Sequence, residues 1–298
     1  MLPASSIDDG QRGHIVVTPH DPQARRATKG AQAWIGYKLH LTETAAQDAP
    51  LLITDLEVGA AAAYDCHYLD PVQERLQARN LLPDTHLADA GYVNGPTIHG
   101  SWERRVELLG PVPADTFGAS RKEKVWPAEA FHVDVENQQA TCPCGHPNQR
   151  WSVYHRRGGE DKDLIAILWD KQVCGECSQR DRCLPPGQPQ RLLRLSRHYD
   201  LLSARRREQK TEAFQARYRR RAGIEATFSH LVNVRRARRT PYRGAQKTLG
   251  YYAALCVGVN LCRAVAWQAG KRPKRERGSR LCRLLAERRG EGAPSAVS

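Results

Sequence analysis

Apolar residues cluster in strand-like runs at Trp34–Thr42 and Leu51–Val58, which are read as strands. Shorter runs at His14–Thr18, His86–Ala88 and Val106–Gly110 are further strand candidates. Leu69, Val72 and Leu76 follow a spacing of three and four and share one helical face, with Asp70 as the N-cap, Pro71 at the first helical position and Gln73 at N3. A second short helix is predicted over Pro96–Arg104. The first 110 residues therefore alternate strands with helices, which is the pattern of an α/β or α+β core.

Residues 111–197 break that rhythm. They open with Pro111 and Pro113, contain five cysteines and close on the Pro- and Gly-rich stretch Leu184–Pro189, so they read as an insertion with its own small fold. From His198 to Ala222 there is no Gly or Pro, and Arg, Ala, Leu, Gln and Glu dominate, which predicts one long helix. Gly223 then permits a bend or a close approach. Ala245–Trp267 is an apolar helix read as a core element, and residues 271–298 form a basic tail too poor in apolar residues to fold. The chain thus divides into 1–110, 111–197, 198–270 and 271–298.

Charge changes the picture. The net charge of +14 is concentrated: residues 201–245 hold 13 Lys and Arg against 3 Asp and Glu, and residues 271–298 hold 9 against 3. A near-neutral body with two basic stretches suits a partner with a phosphate backbone, and DNA is the expected partner. The N-terminal MLPASSIDDG is acidic and lacks an apolar export segment, and the apolar run Tyr251–Val259 stops at Asn260 and Arg263, too short and too polar to span a bilayer. These features point to the cytoplasm and to no membrane partner. In that reducing compartment, clustered cysteines read as metal ligands ahead of disulfides.

Cys174-x2-Cys177-x5-Cys183 lies about thirty residues after Cys142-Pro-Cys144. Tetrahedral Zn²⁺ takes four soft ligands, and the preferred set is Cys142, Cys174, Cys177 and Cys183, with Cys144 or His146 as replacements for one of them. Four protein ligands leave no open position, so such a zinc is structural. The plainer reading is a group of small buried hydrophobes. Cys66, Cys256, Cys262 and Cys282 stand apart from it.

Two acidic positions stand out. Asp89 follows the short strand His86–Ala88 and precedes Ala90-Gly91-Tyr92, at a strand end where α/β proteins gather ligands. Tyr218-x2-Arg221-x3-Glu225 places a phenol, a guanidinium and a carboxylate on one helical face within a basic segment. Alone, the first is a surface turn and the second an i,i+4 ion pair.

Taken together, these motifs resemble bacterial insertion-sequence transposases of the DDE class, in the group whose third acidic residue lies in a Tyr-x2-Arg-x3-Glu helix. The likeness runs through most of residues 14–268: Asp21-Pro22-Gln23-Ala24-Arg25, Trp34-Ile35-Gly36-Tyr37-Lys38-Leu39-His40, Asp89-Ala90-Gly91-Tyr92, Leu109-Gly110-Pro111, the spaced cysteines, Tyr218–Glu225 and Tyr242-Arg243-Gly244.

The resemblance implies a ribonuclease-H-like fold, a mixed sheet flanked by helices and interrupted by a small cysteine-rich, zinc-ribbon-like insertion. It makes Asp89 and Glu225 the second and third catalytic carboxylates, ligands of a two-Mg²⁺ site for DNA cleavage and strand transfer. Tyr218 and Arg221 would contact the DNA phosphate. Its implied partners are transposon terminal repeats, target DNA and a second copy of the chain on paired ends.

The sequence departs from the family in two places. Val232 stands where a Lys is usual, with Arg235 or Arg236, one turn on, as substitute phosphate contacts. The Asp-Ser-Thr or Asp-Gly-Thr segment of the first aspartate is absent; Asp21 is the nearest candidate, with Asp8 and Asp9 upstream. The expectation is an N-terminally truncated copy with little cleavage activity. The alternative is a non-catalytic, zinc-containing DNA-binding protein.

Overall fold

A computed structural model describes residues 16–46, 48–114, 125–155, 163–184 and 187–272. The expected strand His14–Thr18 lies partly outside them, and residues 16–18 are not in a strand. The tail beyond residue 272 and Cys282 lie outside the described residues.

The chain is a mixed α/β structure. β1 (Arg25–Lys29) turns at Gly30, whose φ of +59° suits glycine, into β2 (Gln32–Glu43), and β2 pairs antiparallel with β3 (Ile53–Ala60) in the order β1-β2-β3. A 3-10 turn at Asp65–Tyr68 leads into α1 (Leu69–Ala78), which buries Leu69, Val72 and Leu76 as their spacing predicts. Asp70 is not the N-cap: the helix begins at Leu69, two residues earlier than expected, and the Asp70 carboxylate pairs instead with Arg104.

β4 (Thr85–Leu87) and β5 (Glu107–Leu109) form a separate parallel pair, joined by α2 (Gly95–Glu103). Asn94 and Thr97 close a reciprocal capping box at the start of α2, and Pro96 occupies its first turn. The strand pair and the meander are not hydrogen-bonded into one sheet. Their cores are also distinct: Leu69, Ala88, Val93, Leu108 and Val112 pack beneath β4 and β5, while Ile53, Val58, Leu231, Tyr252, Cys256 and Val259 pack beneath the meander.

Residues 125–196 build a third core. The hairpin β6 (His132–Asp134) and β7 (Gln139–Thr141) precedes β8 (Arg150–His155), β9 (Asp163–Leu168) and β10 (Leu192–Ser196), an antiparallel sheet with β9 in the middle. Ile165, Ile167, Leu193 and Leu195 face Phe131 and the fully buried Trp169, whose indole N–H donates to the His146 carbonyl. The short helices α3 (Lys171–Glu176) and α4 (Arg180–Cys183) close one end, and Asp170 caps α3 through the amides of Gln172 and Val173.

The single long helix expected from 198 to 222 is broken. α5 (Tyr199–Glu208) stops, and Thr211 starts α6 (Glu212–Tyr218) by accepting the Phe214 amide while donating to the Glu208 carbonyl. Gln209 meanwhile holds both backbone groups of Val112. Tertiary bonds at this joint outweigh a composition that favours continuous helix. A 3-10 turn over Arg219–Arg221 joins α6 to α7 (Ala222–Asn233).

α8 (Ala245–Gln268) is long and apolar enough to cross a membrane by length and composition. It is nonetheless tied into the fold: Asn260 exchanges hydrogen bonds with both backbone groups of Ile53, and Arg263 reaches Glu43 and the Leu51 carbonyl. Expected as a core helix, it buries only the stripe Thr248, Tyr252, Cys256 and Val259, leaving Val257, Leu261 and Val265 exposed.

Candidate active site

Asp89 stands at the carboxyl end of the parallel pair, fixed from below by the fold. The Ala88 amide donates to the Leu109 carbonyl, and Gly110 lies so close that a β-carbon there would sit 2.4 Å from the Ala88 carbonyl oxygen. Any side chain at 110 would therefore push the Ala88–Asp89 backbone out of place. Asp89 is exposed and caps the 3-10 turn Ala90–Tyr92 by accepting the Ala90 amide at 2.9 Å.

Tyr92, at the end of that turn, reaches across to β2. Its hydroxyl lies 2.5 Å from Nδ1 of His40, which stacks on Tyr68 at 4.2 Å between ring centroids. Burial pushes the His40 imidazole down to about 4, against the pull of Asp65, so the ring is neutral at pH 7. Lys38, two residues earlier, pairs with Asp65 at 2.9 Å. The Gly-Tyr-Lys-Leu-His and Asp-Ala-Gly-Tyr motifs thus meet.

Glu225 arrives on α7, and two anchors place it. Arg217 on α6 makes a two-pronged ion pair with Glu107 on β5, holding Glu107 below the usual carboxylate range, while Arg205 on α5 donates to the carbonyls of Leu108 and Gly110. Those bonds dock α5 and α6 beside the strands that end at Asp89. The second anchor is Glu43, buried at the end of β2, which accepts from the Thr227 hydroxyl at 2.6 Å and from Arg263 at 3.1 Å. Gly223 lets α7 press on this carboxylate, since a β-carbon there would lie 3.2 Å from Glu43 Oε1.

Between the anchors, the expected face forms across the 3-10 joint. The Arg221 guanidinium sits 5.5 Å from the Tyr218 ring centre and 2.5 Å from a Glu225 oxygen. Tyr218 stacks on buried Phe214, and burial raises its phenol pKa, with Arg221 opposing and the charges of Asp89 and Glu225 adding to the rise. Among the described residues, no group of three Asp, Glu, His or Cys side chains is arranged to hold a metal ion.

Asp21 does not join this group. One of its oxygens accepts from the Tyr37 hydroxyl at 2.7 Å and the other from the Gly244 amide at 2.9 Å, while Gln23 accepts the Ala245 amide. The Asp-Pro-Gln and Tyr-Arg-Gly motifs thus meet at the start of α8, where Asp21 and Gln23 satisfy two of its free N–H groups. Arg235 and Arg236 are exposed, but not one turn further along a helix: α7 ends at Asn233 and Arg236 has a φ of +54°.

The sequence did not single out Glu43, Thr227, Asp65, Arg217 and Glu107, while Lys38 was visible only within its motif and Arg263 only as a polar stop to an apolar run. Each works through a partner distant in sequence.

The expected zinc ligands are gathered at the third core. Cys142, Cys144, Cys174, Cys177 and Cys183 line one cavity, with the Cys144 and Cys177 sulfurs 3.6 Å apart. Cys66 and Cys256 are buried elsewhere, and Cys262 is exposed.

Residues 141–265 match the model of a family described as the transposase DDE domain. The matched stretch holds the five cysteines and the Tyr218–Glu225 motif, and stops short of Asp89. No curated protein and no solved structure matches the chain.

Proposed function

We propose, for a chain whose residues 141–265 match the transposase DDE domain, that Asp89 and Glu225 form a shared Mg²⁺-binding edge on a DNA-binding surface. The reading is supported at Tyr218: Arg221 sits against its ring and holds Glu225, and the charges of both Asp89 and Glu225, 136 positions apart in sequence, raise its phenol pKa. The order of strands and helices, with the cysteine-rich unit between β5 and α5, supports a ribonuclease-H-like arrangement interrupted by an insertion.

Exposed carboxylates suit Mg²⁺, a hard cation that keeps several waters and binds through one or two acidic side chains together with phosphate oxygens. Two such ions held with the help of Asp89 and Glu225 would supply activation of the attacking oxygen and stabilisation of the leaving one in phosphodiester cleavage. The protein's own groups do the rest. Arg221 holds Glu225 in place and offers a cation to an incoming phosphate, the Tyr218 hydroxyl presents a donor beside it, and Arg235 and Arg236 extend the basic surface past the end of α7. Transposon ends and target DNA are the substrates of this reading, and two copies would meet on paired ends.

A second reading, DNA binding without cleavage, is favoured by the absence of a third converging carboxylate among the described residues. One experiment separates them. At constant ionic strength, 5 mM Mg²⁺ in place of EDTA is expected to tighten duplex DNA binding by roughly tenfold, about 1.4 kcal/mol. That gain should vanish in Asp89→Asn and in Glu225→Gln. No gain in the wild-type chain would leave the non-catalytic reading standing.

A further inference from the structure

The cavity lined by five cysteines lies apart from the Asp89–Glu225 edge, at the closed end of the β8–β10 sheet, and its chemistry is independent of that site. The chain turns tightly on each side of it. At Cys142 the backbone bonds to His146 and Gly145, the latter at a φ of +86°, and the His146 amide points at the Cys142 sulfur at 3.3 Å. On the other side Cys174 sits on α3, Cys177 follows its last residue and Cys183 ends α4.

Three observations bear on what the cavity holds. The Cys144–Cys177 sulfur separation of 3.6 Å is far too long for a disulfide, which needs about 2.05 Å. It is close to the roughly 3.8 Å between two thiolates bound tetrahedrally at about 2.3 Å to one zinc ion. Cys142 and Cys144 share one tight turn on one wall of the cavity, and Cys174, Cys177 and Cys183 stand on the two short helices that form the other.

The third observation is Arg191, a lining residue only 6% exposed. Its terminal nitrogens donate to the carbonyls of Cys183 at 2.6 Å and Trp126 at 2.8 Å, and its Nε has no hydrogen-bond partner. Among the described residues it pairs with no carboxylate. Its guanidinium lies 5.0 Å from the Phe131 ring centre, but a buried guanidinium without a carboxylate partner remains costly.

We propose that the cavity is a structural Zn²⁺ site held by Cys142, Cys174, Cys177 and one of Cys144 and Cys183, with Arg191 as its buried counter-charge. A zinc tetrathiolate carries a net charge of about −2, which gives Arg191 the neutralising partner it lacks. The sulfurs do not all converge as they stand, since no three are placed to hold an ion. Binding would require the cysteine side chains to turn about their Cα–Cβ bonds until four sulfurs converge. The ion would pin α3, α4 and the Cys142 turn to the β8–β10 sheet.

The test uses the full chain purified without chelator. One zinc per chain is expected by elemental analysis, and Co²⁺ reconstitution should give the visible bands of tetrahedral thiolate coordination. Zinc should be lost in Cys142→Ser, Cys174→Ser and Cys177→Ser, and kept in one, and only one, of Cys144→Ser and Cys183→Ser. Arg191→Met should weaken zinc affinity about tenfold or more, as loss of a supporting partner does, with Arg191→Lys intermediate. Wild-type chain without zinc, a cobalt spectrum without thiolate bands, retention in Cys142→Ser or Cys177→Ser, or loss in both Cys144→Ser and Cys183→Ser would overturn the site. Unchanged affinity in Arg191→Met would overturn the counter-charge. The cobalt spectrum of the wild-type chain decides the matter even where a cysteine variant fails to fold.

Discussion

Raising NaCl from 50 to 200 mM is expected to weaken binding of the chain to duplex DNA by about a thousandfold. Arg219, Arg220, Arg235, Arg236, Arg238 and Arg239 are exposed on or beside α7, and none forms an ion pair among the described residues. If these six cations each neutralise one phosphate, counterion release gives a slope of log affinity against log salt of about −5. Over a fourfold change in salt that slope amounts to about three orders of magnitude. Replacing Arg235, Arg236 and Arg239 together by alanine should flatten the slope by about 3, since each lost contact removes about one unit. Fluorescence anisotropy across a salt series measures both. A wild-type slope near zero would remove the basic surface from the account.

Alanine at Glu43 is expected to lower the unfolding free energy by about 3 kcal/mol, because it leaves Arg263 partly buried without its counter-charge. The Glu43 side chain is 5% exposed and that of Arg263 24%, and Arg263 also donates to the Thr227 hydroxyl at 2.5 Å. Urea unfolding would report the loss as a lower midpoint at unchanged slope. The double substitution Glu43→Leu with Arg263→Met should cost less than Glu43→Ala alone, since it removes both charges and fills the space with apolar atoms. If the double variant instead shows the full sum of the two single losses, the residues do not act as a pair. Thr227 lies two residues from Glu225, so the same lesion should loosen the helix that presents the proposed metal ligand.

The contrast between Glu225 and Glu43 shows what a sequence can reveal. Glu225 was legible because its partners, Tyr218 and Arg221, are seven and four positions away, and local helical geometry survives even a 3-10 joint. Asp89 was legible as a polar residue ending a short apolar run. Glu43 meets Thr227 and Arg263 at separations of 184 and 220 residues, and no local pattern encodes such a meeting. The Asp21 motif was visible as a motif, but its role as the cap of α8 depends on a contact 223 residues away.

Secondary structure divided along the same line. β2, β3 and α2 were read within two or three residues of their ends because apolar runs and capping are local signals. The hairpin strand β1 was overlooked, since Arg25-Arg26-Ala27-Thr28-Lys29 has no apolar run and exists through its pairing with β2. The helix break at Gln209–Thr211 was hidden because composition there favours helix, whereas Val112 and Phe214 fix the turn. α8 looked like core because its sequence is apolar around its whole circumference, yet only one stripe of it meets β3 and α7.

The proposal that Asp89 and Glu225 share one cation is tested most directly by Mn²⁺ titration of the full chain, followed by electron paramagnetic resonance of the free ion. Asp89→Asn and Glu225→Gln should each weaken the tightest site outside the cysteine cavity by roughly tenfold or more, about 1.4 kcal/mol. The double variant should bind no more weakly than either single one, because the first substitution already destroys a shared site. Losses that multiply in the double variant, or no loss in either single variant, would show that the two carboxylates do not hold a common ion.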